Sequence, residues 1–197
     1  MGLLGQHYCL RMQEKDNILR IFEETKEAIK RQDSAKIKSL SNQTINTASL
    51  THDPDNIAVA IVIYSLSKIL ERDNYKVLPG WNNFYNLYIK SIDNIISSLK
   101  ENDDKKVREN LRLIRQAIGK LSGKLKEYIQ DLFRKAKINK ASKIYEHGIS
   151  MEKTAELLGI SLFELANYAG QTGVSDVPEG KTLDVKSRIK IALELFK

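Results

Sequence analysis

The chain has 197 residues, a mass of 22.5 kDa, 42% apolar and 29% charged residues and a formal net charge of +7. That is enough chain to bury a sizeable core, and the balance predicts a soluble globular protein rather than a disordered one. The longest unbroken apolar run, Ile57 to Tyr64, is eight residues, far below the roughly 20 of a membrane-spanning helix, and the lone Cys9 excludes an intramolecular disulfide or a thiolate zinc cluster.

Only three prolines and ten glycines punctuate the sequence, so its regular elements should be few and long, and the expected fold is all-α. Met1 to Leu10 lacks the basic and apolar regions of a secretory leader, and Gly2 lacks a myristoylation context, so residues 1–12 read as a flexible tail and the location as cytoplasmic. Charge is uneven along the chain: the net is +2 over residues 1–100, +6 over 101–148 and −1 over 149–197. A polyanion should therefore meet the middle segment first.

From Asp16 to Arg31 the positions Ile18, Leu19, Ile21, Phe22, Ala28 and Ile29 recur at helical spacing. Gln32-Asp33-Ser34 breaks that helix and caps a second, carrying Ile37, Leu40, Ile45 and Ala48 beside a polar face rich in Ser, Asn and Thr. Asp53-Pro54-Asp55 supplies a cap and a first-turn proline for Ile57 to Leu70, which is apolar nearly all round and should be the central buried helix. Beyond a loop at residues 73–80, Trp81, Phe84, Tyr85, Tyr88, Ile92, Ile95, Ile96 and Leu99 form an aromatic-rich stripe expected to face the core.

Val107, Leu111, Ile114, Ile118, Leu121, Leu125, Tyr128 and Leu132 then alternate spacings of 4 and 3, which predicts one long heptad helix that reaches Tyr145 at its furthest. Gly119 and Gly123 weaken it by about 1 kcal/mol each, so either something packs close there or the helix bends. On a helical wheel Lys105, Arg108, Arg112, Arg115 and Lys126 fall together, about 80–160° from the apolar seam. Such a row is a candidate phosphate contact or a solvated face.

Ile149 to Gly170 carries a more specific pattern. Ala155 supplies the small residue two crossing helices need, Gly159 the turn and Ile160 an inward side chain, while Ser161 and Glu164 form a Ser-x-x-Glu capping box; Leu158, Leu165 and Tyr168 close a small core. Over about residues 141–174 the chain resembles the helix-turn-helix of small prokaryotic DNA-binding proteins, especially antitoxin-like ones. The resemblance implies a second helix in the major groove of double-stranded DNA, with Ser161, Leu162, Phe163, Ala166, Asn167, Gly170 and Gln171 facing it. Of these only Ser161, Asn167 and Gln171 have hydrogen-bonding side chains, the helix carries no cation, and Leu162 and Phe163 suit a protein partner as well as a base methyl. Phosphate contacts would come from the Arg108, Arg112, Arg115 and Lys126 stripe, or from Arg134, Lys135, Lys137, Lys140 and Lys143.

A turn-rich stretch over residues 172–181 leads to a last expected helix from Asp184, with Val185, Ile189, Ala192, Leu193 and Phe196 on one face. His7, His52 and His147 have no metal-ligand spacing. Ser150-Met151-Glu152-Lys153 matches Ser-x-x-Lys without its partner motifs, and no Arg stands four to six residues before a His as in the helical RNases of toxin systems. No catalytic constellation and no cofactor site is expected. The sequence thus predicts a flexible tail (1–12), an α-helical bundle (13–135) and a helix-turn-helix domain with flanking helices (136–197). The function it suggests is a homodimeric DNA-binding transcription regulator. The alternatives are an antitoxin-like or adaptor protein that binds another protein through Leu162 and Phe163, and an RNA-associated basic helical protein.

Overall fold

A computed structural model describes Met12, residues 14–51 and residues 53–172. All regular structure among the described residues is helical: α1 (Lys15–Lys30), α2 (Ser34–Thr51), α3 (Pro54–Leu70), α4 (Trp81–Lys100), α5 (Asp104–Lys120), α6 (Gly123–Glu146), α7 (Met151–Leu158) and α8 (Leu162–Thr172), with one short 3-10 turn at Asp73–Tyr75. The helix expected from Asp184, the turn-rich stretch after Thr172, His52 and residues 1–11 lie outside the described residues. Met12, expected in the flexible tail, is instead 2% exposed, and its amide donates to Asp104 Oδ2 at 3.1 Å. Lys15 reaches the same carboxylate at 2.6 Å, which ties the start of α1 to the start of α5.

The apolar helix α3 is central and packs against α1, α2, α5 and α6. Its start is local chemistry: Asp53 accepts a hydrogen bond from the Asp55 amide at 2.9 Å, and Pro54 fills the first turn, where no backbone donor is needed. The Ser- and Thr-rich face of α2 is turned inward. Ser41 donates to the Ala60 carbonyl of α3 at 2.7 Å, while Thr44 and Ser49 return their hydroxyls to their own helix, so these buried polar groups are satisfied and their small side chains let the helices lie close. The aromatic stripe of α4 faces the core as its spacing predicts: Trp81, Phe84 and Tyr88 are buried, and the Tyr88 hydroxyl donates to the Val62 carbonyl at 2.6 Å.

The long heptad helix is corrected to two. Leu121 and Ser122 are extended, and α6 restarts at Gly123 with φ +56°, a left-handed value at which glycine costs least. The restart changes which face of the helix is buried. Val107, Leu111, Ile114 and Ile118 of the predicted seam are buried on α5, and Leu125 and Leu132 on α6, but Tyr128 is 44% exposed. The expected boundary at 135/136 falls inside α6, which runs unbroken across it and packs on α2, α3 and α5 as well as on α7 and α8.

Candidate nucleic-acid interface

Helices α7 and α8 are held by short-range chemistry. Ser150 Oγ caps α7 by accepting from the Lys153 amide at 3.2 Å, and Gly159 ends it at φ +60°. The next residue, Ile160, donates its amide to the Ala155 carbonyl at 3.1 Å. The capping box forms as the sequence predicts: the Glu164 amide donates to Ser161 Oγ at 3.1 Å, and Glu164 Oε2 accepts from the Ser161 amide at 3.1 Å and hydroxyl at 2.8 Å. Those two bonds, backbone first, hold the Glu164 carboxyl below its usual range. The Ser161 hydroxyl is thereby committed to the cap, which leaves it poorly placed to read a base.

Leu165 and Ala169 bury the inner face of α8, and its Tyr168 hydroxyl accepts from Asn139 of α6 at 3.2 Å. Its outer face presents Leu162 (46% exposed), Phe163 (78% exposed), Asn167 and Gln171. Asn167 and Gln171 are the two outward hydrogen-bonding side chains that remain.

The cationic stripe expected on one helix is split by the break at residues 121–122. Arg108 turns inward: its Nε donates to Asp55 Oδ2 at 2.8 Å, linking α5 to α3. Burial pushes the Asp55 carboxyl up while this guanidinium pulls it down. Arg112 and Arg115 are exposed on α5, and Lys126 lies beyond the break in the first turn of α6. Among the second group of cations, Lys140 is fully buried and Lys143 pairs with Glu146 at 2.6 Å. Arg134 and Lys135 both reach Asp131, and Arg134 also approaches Glu164 at 3.8 Å.

Three of these cations converge at the α7–α8 turn. Arg115 of α5 with Arg134 and Lys137 of α6 line a groove of about 670 Å³ whose other wall includes Gly159, Ile160 and Glu164. Sequence reasoning named each cation but not this convergence, since the break that folds α5 back along α6 is what brings position 115 to the turn. Neither Arg115 nor Lys137 closes a hydrogen bond or contact ion pair with a described residue. Among the described residues no cluster of His, Cys, Asp and Glu could hold a metal, and no helix is long and apolar enough to cross a membrane. No family model, no curated protein and no solved structure matches the chain.

Proposed function

We propose that the protein is a DNA-binding regulator in which α7 and α8 act as a helix-turn-helix and α8 enters the major groove. The observation that carries this reading is the gathering of Arg115, Arg134 and Lys137 beside the turn that precedes α8. A motif with no cation of its own needs such neighbours, because phosphate contacts supply most of the sequence-independent affinity and fix the register of the reading helix. Asn167 and Gln171 then stand as the base-reading side chains, and Leu162 and Phe163 as apolar contacts to a thymine methyl.

The test is fluorescence anisotropy of a mixed-sequence duplex against the full chain at several salt concentrations. Binding should weaken steeply with salt, and Arg115→Ala with Lys137→Ala should lower affinity on the order of tenfold or more and reduce the salt slope by about 2. No binding by the wild type at low salt would sink the reading.

A second reading is favoured by one observation, the 78% exposure of Phe163 beside Leu162. Two large apolar side chains in water at the start of a helix are what a protein partner would cover. In that case duplex is ignored, and Phe163→Ala weakens capture of the partner, while Arg115→Ala leaves it unchanged.

A further inference from the structure

The groove at the α7–α8 turn is more than a gap between helices. Its floor is apolar and built from four elements: Ile57, Ile61 and Val62 of α3, Leu111 of α5, Phe133 of α6 and Leu158 of α7. All six are buried, at 9% exposure or less. Arg115 and Lys137 also line the groove and close no hydrogen bond or contact ion pair with a described residue, although Lys137 helps to lower the pKa of Glu164 in the same lining, whereas Arg134 already shares Asp131 and Glu164. A volume of about 670 Å³ lies within the roughly 300–1,000 Å³ of sites that enclose small molecules, and an apolar lining with a few convergent charges is their usual chemistry.

We propose that this groove binds a small amphipathic carboxylate, an aromatic or medium-chain acid whose apolar body lies on the α3–α6 floor and whose carboxylate is held between Arg115 and Lys137. Arg matches a carboxylate with two parallel donors, and Lys adds a mobile point charge on the other side. A nucleotide fits less well, since Gln130 is the one uncharged polar side chain in the lining to recognise a base. A neutral lipid would leave both cations idle. The chain's own residues 173–197 are disfavoured by charge, since they hold five Lys and Arg against four Asp and Glu and offer these cations no net attraction.

This inference goes beyond the duplex reading and is tested without DNA, so each can fail alone. Full-length protein is titrated calorimetrically with 2-naphthoate, and in parallel with uncharged 2-naphthamide and with acetate, which has the charge but no apolar body. The expected result is 2-naphthoate binding at micromolar to submillimolar concentration, at least about tenfold tighter than 2-naphthamide, with acetate silent. Arg115→Gln with Lys137→Gln should bring 2-naphthoate down to the amide's level. Ala58→Phe, which fills the groove from a half-buried position on α3, should abolish both, with helical content by circular dichroism confirming that each variant folds. Equal binding of acid and amide, or binding indifferent to these variants, overturns the proposal. So does failure of 2-naphthoate to bind at millimolar concentration, the outcome expected if residues 173–197 already fill the groove.

Discussion

Replacing Lys140 by Met should stabilise the protein by about 2–4 kcal/mol near pH 6, and the gain should fade as pH rises from about 7 toward 10.5. Lys140 is fully buried between α2, α3 and α6. Its Nζ donates to Asn42 Oδ1 at 2.8 Å and lies 4.2 Å from the centre of the Tyr64 ring. Both contacts favour the ammonium, but burial outweighs them, and Lys143, Lys38 and Lys68 add like charge, so its pKa falls from 10.5 to about 7. Among the described residues no carboxylate pairs with it.

Between about pH 7 and 10.5 the unfolded chain holds a proton on Lys140 that the folded chain has released, so stability rises with pH across this window; below 7 the full cost of the buried charge is present. Each tenfold loss of proton affinity on folding is worth about 1.4 kcal/mol, and the loss of the Asn42 bond subtracts about 1 from the gain. Met is unbranched and only one atom shorter than lysine but carries no charge, and half-buried Asn42 can turn to water. Urea denaturation of both proteins from about pH 6 to 10 measures the difference. A variant less stable than wild type at pH 6 would mean that the Asn42 and Tyr64 contacts outweigh the cost of burying the Lys140 charge.

Lys140 also shows where sequence reasoning stops. As one of five cations between Arg134 and Lys143 it reads as part of a phosphate-binding surface. Its burial is set by the phase of α6, and that phase is reset at Gly123. Once the helix is started there, Leu125, Ile129, Leu132, Phe133, Ala136, Ala141 and Ile144 define the buried face, and position 140 falls four residues after Ala136, in the middle of it. The information was present, but it was masked by a heptad pattern that runs through the break without a miss. Whether two weak glycines bend a helix or end it depends on what α5 gains by packing on α3 and α4, which no local window contains.

Features determined within a few residues were legible for the opposite reason. The Asp53-Pro54 start of α3 and the Ser161–Glu164 box both appear as the sequence predicts, because donor and acceptor are neighbours along the chain. Partners far apart were not legible. Arg108 looked like one more exposed cation, and only the fold brings Asp55, 53 residues away, to neutralise it. The polar face of α2 likewise had no assigned purpose until α3 and α6 lay against it, where Ser41 meets Ala60 and Asn42 meets Lys140.

Tyr88→Ala should cost about 3–5 kcal/mol, among the largest losses expected from a single truncation in this core. Tyr88 is fully buried on α4 and touches two other helices that carry the core. Its hydroxyl donates to the Val62 carbonyl of α3 at 2.6 Å, and its ring lies 6.4 Å from that of Phe133 on α6 and meets Phe84 edge to face at 5.8 Å. Tyr88→Phe separates the two contributions. It keeps the ring and removes one hydrogen bond, and should cost only about 1 kcal/mol near pH 7. At alkaline pH the order should invert. Burial pushes the Tyr88 phenol well above 10, so above about pH 10 the unfolded chain loses a proton that the folded chain retains. Wild-type stability then falls with rising pH in a way that Tyr88→Phe escapes, opposite in sign to the Lys140 effect and displaced to higher pH. Denaturant midpoints for the three proteins at neutral pH and above pH 10 test both statements. A Tyr88→Ala cost near that of Tyr88→Phe would mean that the α3–α4–α6 junction collapses around the missing ring and that the core is held elsewhere.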